Sequence, residues 1–251
     1  MTPLDALLVF AAGVAAGAIN TLVGSGSLIT FPMLLAVGYP PLTANVSNNL
    51  GLVPGSIAGA YGFRRELAGQ RARVRRFAPA SVLGGLTGAV LLLALPASAF
   101  EAIVPVFVAT GIVLVVLQPR LNRMLQRRRG EADPRGRAAP LAATYGAGVY
   151  GGYFGAAQGI LLLGILGLSL DDELTRVNAL KVVLAGTVNG VAAVVFVIAA
   201  HVAWGAVALI ALGSTLGGHL GARVGRRLPP RALRAFVVVV GLAALAKLLL
   251  L

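Results

Sequence analysis

Only two lysines occur in this chain, and one of them stands where charge is costly: Lys181 lies one turn inside an otherwise apolar stretch. A buried ammonium is a compact point charge that attracts an anion. The turn before it carries Asp171, Asp172, Glu173 and Arg176, so snorkelling to the headgroups is the competing reading. Lys247 lies close to the C-terminus and reads as an interface anchor. Side-chain amides are the second signal. Asn20 and the trio Asn45, Asn48 and Asn49 fall in one part of the chain, Gln158, Asn178 and Asn189 in another, all within apolar surroundings. An amide in hydrocarbon is costly unless hydrogen-bonded, so these groups must face a protein interior. Helix-to-helix bonding accounts for any one of them equally well, but three within five residues point to binding.

Backbone donors are the third signal. The run Gly24-Ser25-Gly26-Ser27 and the pair Gln158-Gly159 each precede a short apolar segment. A break of this kind leaves N–H groups free at the start of the next helix, where the partial positive charge suits an oxyanion. The expected anion-binding set is Asn20, Gly24, Ser25, Gly26, Ser27, Asn45 and Asn48 from one half, with Gln158, Gly159, Asn178 and Lys181 from the other. Glycine pairs such as Gly13 with Gly17, Gly55 with Gly59 and Gly217 with Gly221 read as close helix packing.

What is missing narrows the chemistry. The eight acidic residues all fall in loops or at segment ends, which disfavours a proton relay or sodium site built on a carboxylate, although carbonyls and amides still suit sodium. His201 and His219 lie near the ends of one segment and read as polar anchors, with a proton role as the alternative. Cysteine is absent, and there is neither an HExxH pattern nor a carboxylate pair. No catalytic residue, metal site or cofactor is expected.

The elements that must position these residues follow from composition. Of 251 residues 58% are hydrophobic and 12% charged, against about 25% charged in an ordinary soluble domain. The mean hydropathy of +0.89 fits a protein embedded in a bilayer. A net charge of +13 invites a nucleic-acid reading, but 18 of the 19 arginines fall in three segments, 64–76, 120–137 and 223–234. That is the distribution of positive-inside cytoplasmic loops, and no nucleic-acid partner is expected. The N-terminus has no basic n-region and reads as a first helix rather than a cleaved signal.

Cut at charges, prolines and polar clusters, the sequence predicts eight long segments, near 5–23, 46–63, 77–95, 100–118, 139–157, 177–200, 202–222 and 231–251. Two short ones, 28–37 and 160–170, read as half-helices or re-entrant segments. The expected fold is therefore an all-α integral membrane protein of about 8–10 transmembrane segments in two inverted-topology repeats. The first repeat is 1–118, the basic cytoplasmic linker 119–137 and the second repeat 138–251. With the arginine loops inside, both termini lie outside. Gly13, Gly17 and Gly24 match Gly148, Gly152 and Gly159 at a constant offset, and after a two-residue slip Asn45 and Asn48 fall opposite Asn178 and Lys181.

The segment AGAINTLVGSGSLITFPMLLAVGYPPLTANVSN, continuing through NNLGLVPGSIAGAYGFRREL, resembles the sulfite exporter TauE/SafE permeases. GVYGGYFGAAQGILLLGILGLSLDDELTRVNALKVVLAGTVNGVAAVVF resembles that family's second repeat, so the likeness spans nearly the whole chain. Two turns depart from the family pattern: Gly24-Ser25-Gly26-Ser27 where many members have three glycines, and Ala156-Ala157-Gln158-Gly159 where a glycine-rich turn is usual. The resemblance implies a permease in the bacterial plasma membrane for a small sulfur oxyanion or organosulfonate, such as sulfite or sulfoacetate, commonly exported. Outward movement of one negative charge is favoured by about 2.3 kcal/mol per 100 mV of inside-negative potential, so export needs no coupling ion. The partners expected are a small anionic substrate and the lipid bilayer, and a homo-oligomer is compatible with the sequence. The rival readings are a non-transporting membrane scaffold or assembly subunit, and an anion channel.

Overall fold

The computed structural model describes residues 1–127, 138–224 and 230–249. Among them are ten helices and no strand: α1 (Pro3–Leu22), α2 (Ser27–Ala36), α3 (Pro41–Gly62), α4 (Arg71–Ala94), α5 (Ala97–Arg127), α6 (Ala138–Tyr153), α7 (Gln158–Ser169), α8 (Leu174–Ala199), α9 (Trp204–Val224) and α10 (Pro230–Leu249). Among the described residues, α1, α4, α5, α8 and α9 are long and apolar enough to cross a bilayer, while α2 and α7 are short apolar helices. α3 has comparable length, but Asn45, Ser47, Asn48 and Asn49 are buried on it. Large apolar side chains such as Ile57, Ile198 and Val239 are exposed on the outside of the bundle. Water would penalise that surface; lipid does not.

Helix pairing maps onto itself when each helix is exchanged for the one five places along. α1 packs on α9 as α6 packs on α4, α3 on α9 as α8 on α4, and α2 on α10 as α7 on α5, while α3–α8 and α5–α10 pair across the exchange. Small residues make these contacts close. A Cβ on Gly17 would meet the Ser214 backbone at 2.2 Å, and one on Gly152 would meet the Gly85 carbonyl oxygen at 2.3 Å. Gly55 and Gly59 are likewise closed by Ser214 and Thr21, and Gly217 and Gly221 by Val14 and Ala18. The expectation of glycine-mediated helix packing therefore holds at these positions. The pairing along α1 and α9 advances in step, Gly13 facing Ile210 and Ala18 facing Gly221, so the two helices run parallel.

Several boundaries differ from those expected. α5 does not stop at 118 but runs through Pro119 to Arg127. Pro119 removes only one donor, and the extra turns are held by packing: Leu121 fits against Gly164 and Leu125 against Gly167 of α7. α3 starts at Pro41, a residue suited to the first helical turn, rather than near 46. α4 starts at Arg71, so Arg71, Arg73, Arg75 and Arg76 are helical rather than in the loop. The remainder of the basic linker, 128–137, residues 225–229 and the side chain of Lys247 lie outside the described residues.

One end of the bundle is tied together by polar side chains. Asp172, between α7 and α8, pairs with Arg73 of α4 and, at 3.0 Å, with Arg176 of α8. Buried Gln70 donates to the carbonyl oxygens of Glu66 and Arg176, both at 2.9 Å. Burial raises the Asp172 carboxyl pKa, but hydrogen bonds from Arg73, the Glu173 N–H and Arg176 outweigh it and hold the pKa at about 2. The α3–α4 turn of one half is thus fastened to the α7–α8 turn of the other.

Candidate functional site

Both interrupted helices end in the same way. α1 closes with Val23 N–H and Gly24 N–H both donating to the Ile19 carbonyl oxygen, at 2.7 and 3.0 Å, and Gly24 has φ +86°. α6 closes with Phe154 N–H and Gly155 N–H both donating to the Tyr150 carbonyl oxygen, at 2.9 and 3.0 Å, and Gly155 has φ +80°. A left-handed residue after the last turn satisfies orphan carbonyls, and glycine takes that conformation without a Cβ clash. The structural counterpart of Gly24 is therefore Gly155, not Gly159. The second break is Phe154–Ala157, with Ala157 itself at φ +60°, and Gln158 and Gly159 are the first residues of α7. The glycine match at constant offset holds for the packing of α1 and α6 but slips by four residues at the break.

The first break crosses the start of α7. Gly159 N–H donates to the Gly24 carbonyl oxygen at 3.1 Å, and a Cβ on either glycine would lie 2.5–2.6 Å from the other's Cα. The amide of Gly159 is therefore engaged and is not a free oxyanion donor, contrary to the expectation for that residue. In α2 the expectation fares differently: Ser25, Gly26 and Ser27 donate no backbone hydrogen bond among the described residues. The Ser25 hydroxyl is buried without a partner.

Lys181 reaches this crossing from α8. It is 1% exposed, so it does not snorkel. Its ammonium donates to the carbonyl oxygens of Asn20 at 3.2 Å and Thr21 at 3.5 Å, and its side chain passes beside Gly159. These carbonyls belong to the last turn of α1, whose partial negative charge favours a cation. Among the described residues no carboxylate pairs with Lys181. Three-quarters of a turn earlier, Asn178 donates its amide to the Thr21 carbonyl oxygen at 3.2 Å. The other half repeats this contact: Asn45 of α3 donates to the carbonyl oxygen of Tyr153, the last residue of α6, at 2.9 Å. Each asparagine thus caps the interrupted helix of the opposite half.

Of the remaining predicted residues, Asn48 and Asn20 pack on α2 and its start, and Gln158 opens α7. Asn48 is 1% exposed and accepts from the Thr30 hydroxyl, which also faces the Gly26 carbonyl oxygen. Gly26 packs on the last turns of α1, where its missing Cβ leaves room for the Ala16 carbonyl oxygen and the Asn20 Cβ. Gln158 fills the space left by Gly151, and its Nε2 is buried without an acceptor. The structure therefore brings Asn20, Gly24, Gly26, Gly159, Asn178 and Lys181 together directly, and links Asn48 to them through Thr30. Asn45 sits apart, at the end of α6.

Two features were not expected. Gln118 of α5 is buried and donates to the Val23 carbonyl oxygen at 3.3 Å, beside the first break, while its own Oε1 is unpartnered. The amide pair Gln118 and Asn122, one turn apart beyond an apolar run, was the signal available; assigning 119–137 to a loop hid it. The second is an aromatic box on the other break, where Phe154 meets Phe31 edge-on at 5.2 Å and stacks on Phe107 at 5.7 Å. It surrounds one break with apolar rings while the other keeps its amides and ammonium.

The sequence profile described as sulfite exporter TauE/SafE matches residues 9–248. The chain belongs to that family. Among its relatives, the probable membrane transporter protein YfcA of Escherichia coli K12 is 26% identical over 249 residues, covering 99% of this chain and 91% of the relative. The probable membrane transporter protein ORF9 of Sinorhizobium sp is 27% identical over 245 residues, covering 96% and 90%. No solved structure matches the chain significantly. With its apolar helices, this TauE/SafE chain is a multi-pass protein of the bacterial plasma membrane.

Proposed function

We propose that this TauE/SafE permease carries a small sulfur oxyanion or organosulfonate of the sulfite or sulfoacetate type out of the cytoplasm, binding it where the first break crosses the start of α7. The observation that carries this reading is Lys181: a fully buried ammonium with two carbonyl acceptors and no carboxylate partner among the described residues. An ammonium has three donors, so one is left for an anion. A buried, uncompensated charge is costly, and an anionic ligand would offset it.

The other donors follow from their surroundings. The free N–H groups of Ser25, Gly26 and Ser27 at the start of α2 and the unpartnered Nε2 of Gln158 would supply hydrogen bonds, with Asn20 and Asn178 shaping the same crossing. Asn45 would hold the framework of the opposite half and Asn48, through Thr30, that of its own. Two halves of matching helix pairing would provide the alternating access of a carrier.

The test is efflux of labelled sulfite and sulfoacetate from proteoliposomes under an inside-negative potential. The expected result is saturable flux, faster with the potential applied and abolished in Lys181→Ala. Flux that rises linearly with concentration would favour a channel, and none above protein-free vesicles would favour a scaffold. Full activity in Lys181→Ala would remove that residue from the site.

A further inference from the structure

Away from the crossing, a cavity of about 750 Å³ opens between the α3–α4 turn and α8, lined by Arg64, Leu67, Arg71, Val74, Arg75 and Val183 among others. That volume lies in the range of small-ligand sites, about 300–1,000 Å³. Its arginines are not equivalent to their neighbours. Arg73 and Arg176, just outside, are bound to Asp172. Arg71 and Arg75 have no partner among the described residues, and Arg64 is held only by its own Tyr61, through the carbonyl oxygen and the ring. Arg71 and Arg75 are one turn apart on α4, a spacing at which like charges repel. The first turn of α4 carries no acidic residue to offset them. Apolar Leu67, Val74 and Val183 complete the wall, so the unpaired guanidinium groups stand beside a concave apolar surface rather than scattered on a flat one.

We propose that this cavity is a second anion site, which takes an oxyanion of phosphate or sulfonate type between Arg71 and Arg75, with Arg64 at the rim. A guanidinium presents paired donors that match the geometry of such groups. The site lies in the first arginine-rich segment, which the positive-inside pattern places at the cytoplasmic face. Two sources supply the same chemistry there: a soluble oxyanion and the phosphate of an anionic lipid. The inference goes beyond the transport reading and does not require it, because binding is measurable without flux.

The test uses the full chain in nanodiscs of phosphatidylcholine alone or with phosphatidylglycerol. Binding of labelled sulfate is measured in the first, and retention of phosphatidylglycerol by native mass spectrometry in the second. For wild type and Arg65→Gln, whose charge lies outside the cavity, at least one of these ligands is retained equally well. Arg71→Gln/Arg75→Gln weakens that ligand about tenfold or more, as expected for loss of charge-assisted hydrogen bonds. Loss of sulfate identifies a soluble occupant and loss of phosphatidylglycerol a lipid one; either supports the site. The proposal is overturned if the double variant holds both ligands like wild type, if Arg65→Gln weakens them as much, or if only Lys181→Met does so.

Discussion

The breaks after α1 and after α6 are built alike and charged differently. Both end in a left-handed glycine, Gly24 or Gly155, and both are capped by an asparagine of the opposite half, Asn178 or Asn45. Where α8 carries Lys181, however, α3 carries Asn48, and where the first break faces amides and an ammonium, the second faces Phe31, Phe107 and Phe154. On the proposed carrier reading, matching frameworks would give two equivalent ways to pack, and the single cation on one side would meet the charge of a substrate. The repeat would then set the motion and the departure from the repeat the site.

The largest effect should come from erasing that difference. In Lys181→Asn, which makes the two halves alike at this position, anion efflux from proteoliposomes is expected to fall roughly 30- to 5,000-fold, the range for loss of one partner of a buried charged contact. Asn48→Ala removes only a neutral hydrogen-bond partner and should cost about tenfold or less. Equal losses in the two variants would contradict the assignment of charge recognition to one half.

Next come the glycines at the crossing. Gly24→Ala introduces a left-handed alanine whose Cβ lies 2.6 Å from the Gly159 Cα, with backbone strain and overpacking costing roughly 1–3 kcal/mol each. Gly38 also has positive φ, at +94°, but nothing lies within 4 Å, so Gly38→Ala should cost only the conformational part, about 1–2 kcal/mol. Thermal unfolding of the two detergent-solubilised variants separates packing at the crossing from strain alone.

The caps should be near equals. Asn45→Ala and Asn178→Ala each strip a donor from a helix-end carbonyl and should destabilise the protein by a similar amount, about 1–3 kcal/mol. A cost confined to one of them would show that the halves are not held together in the same way.

The smallest effect concerns acid. The Asp172 pKa is lowered from 3.8 to about 2 by Arg73, Glu173 and Arg176. Because the folded value is depressed, its contribution is fully present above about pH 4 and lost as pH falls through about 2. Asp172→Asn should therefore lower the melting temperature at pH 7 and have little effect near pH 2. An unchanged pH 7 melting temperature would mean that the link between the α3–α4 and α7–α8 turns contributes nothing to stability.

Much of this was legible in residue types. Apolar runs between arginine clusters marked the helices, because charge does not stay in hydrocarbon. Lys181, Asn178, Asn20 and the Gly24 turn stood out because polar groups there need partners. The helix ends were less legible. α4 begins at Arg71 and α5 continues to Arg127 because helices extend past the apolar zone wherever packing, such as Leu125 on Gly167, supports them. The second break was misplaced by four residues, since Gly155 and Gly159 look alike in sequence and only φ distinguishes a hinge from a contact. Gln118 went unnoticed beside a proline that does not end its helix.

The central claim is that a sulfur oxyanion binds at the crossing through Lys181. Equilibrium binding of labelled sulfite to purified wild-type protein, Lys181→Met and Arg71→Gln/Arg75→Gln tests it most directly. The account predicts saturable binding in wild type, with the share bound at the crossing kept in the arginine variant and lost in Lys181→Met while its melting curve stays cooperative. Undiminished binding in a folded Lys181→Met protein would contradict it.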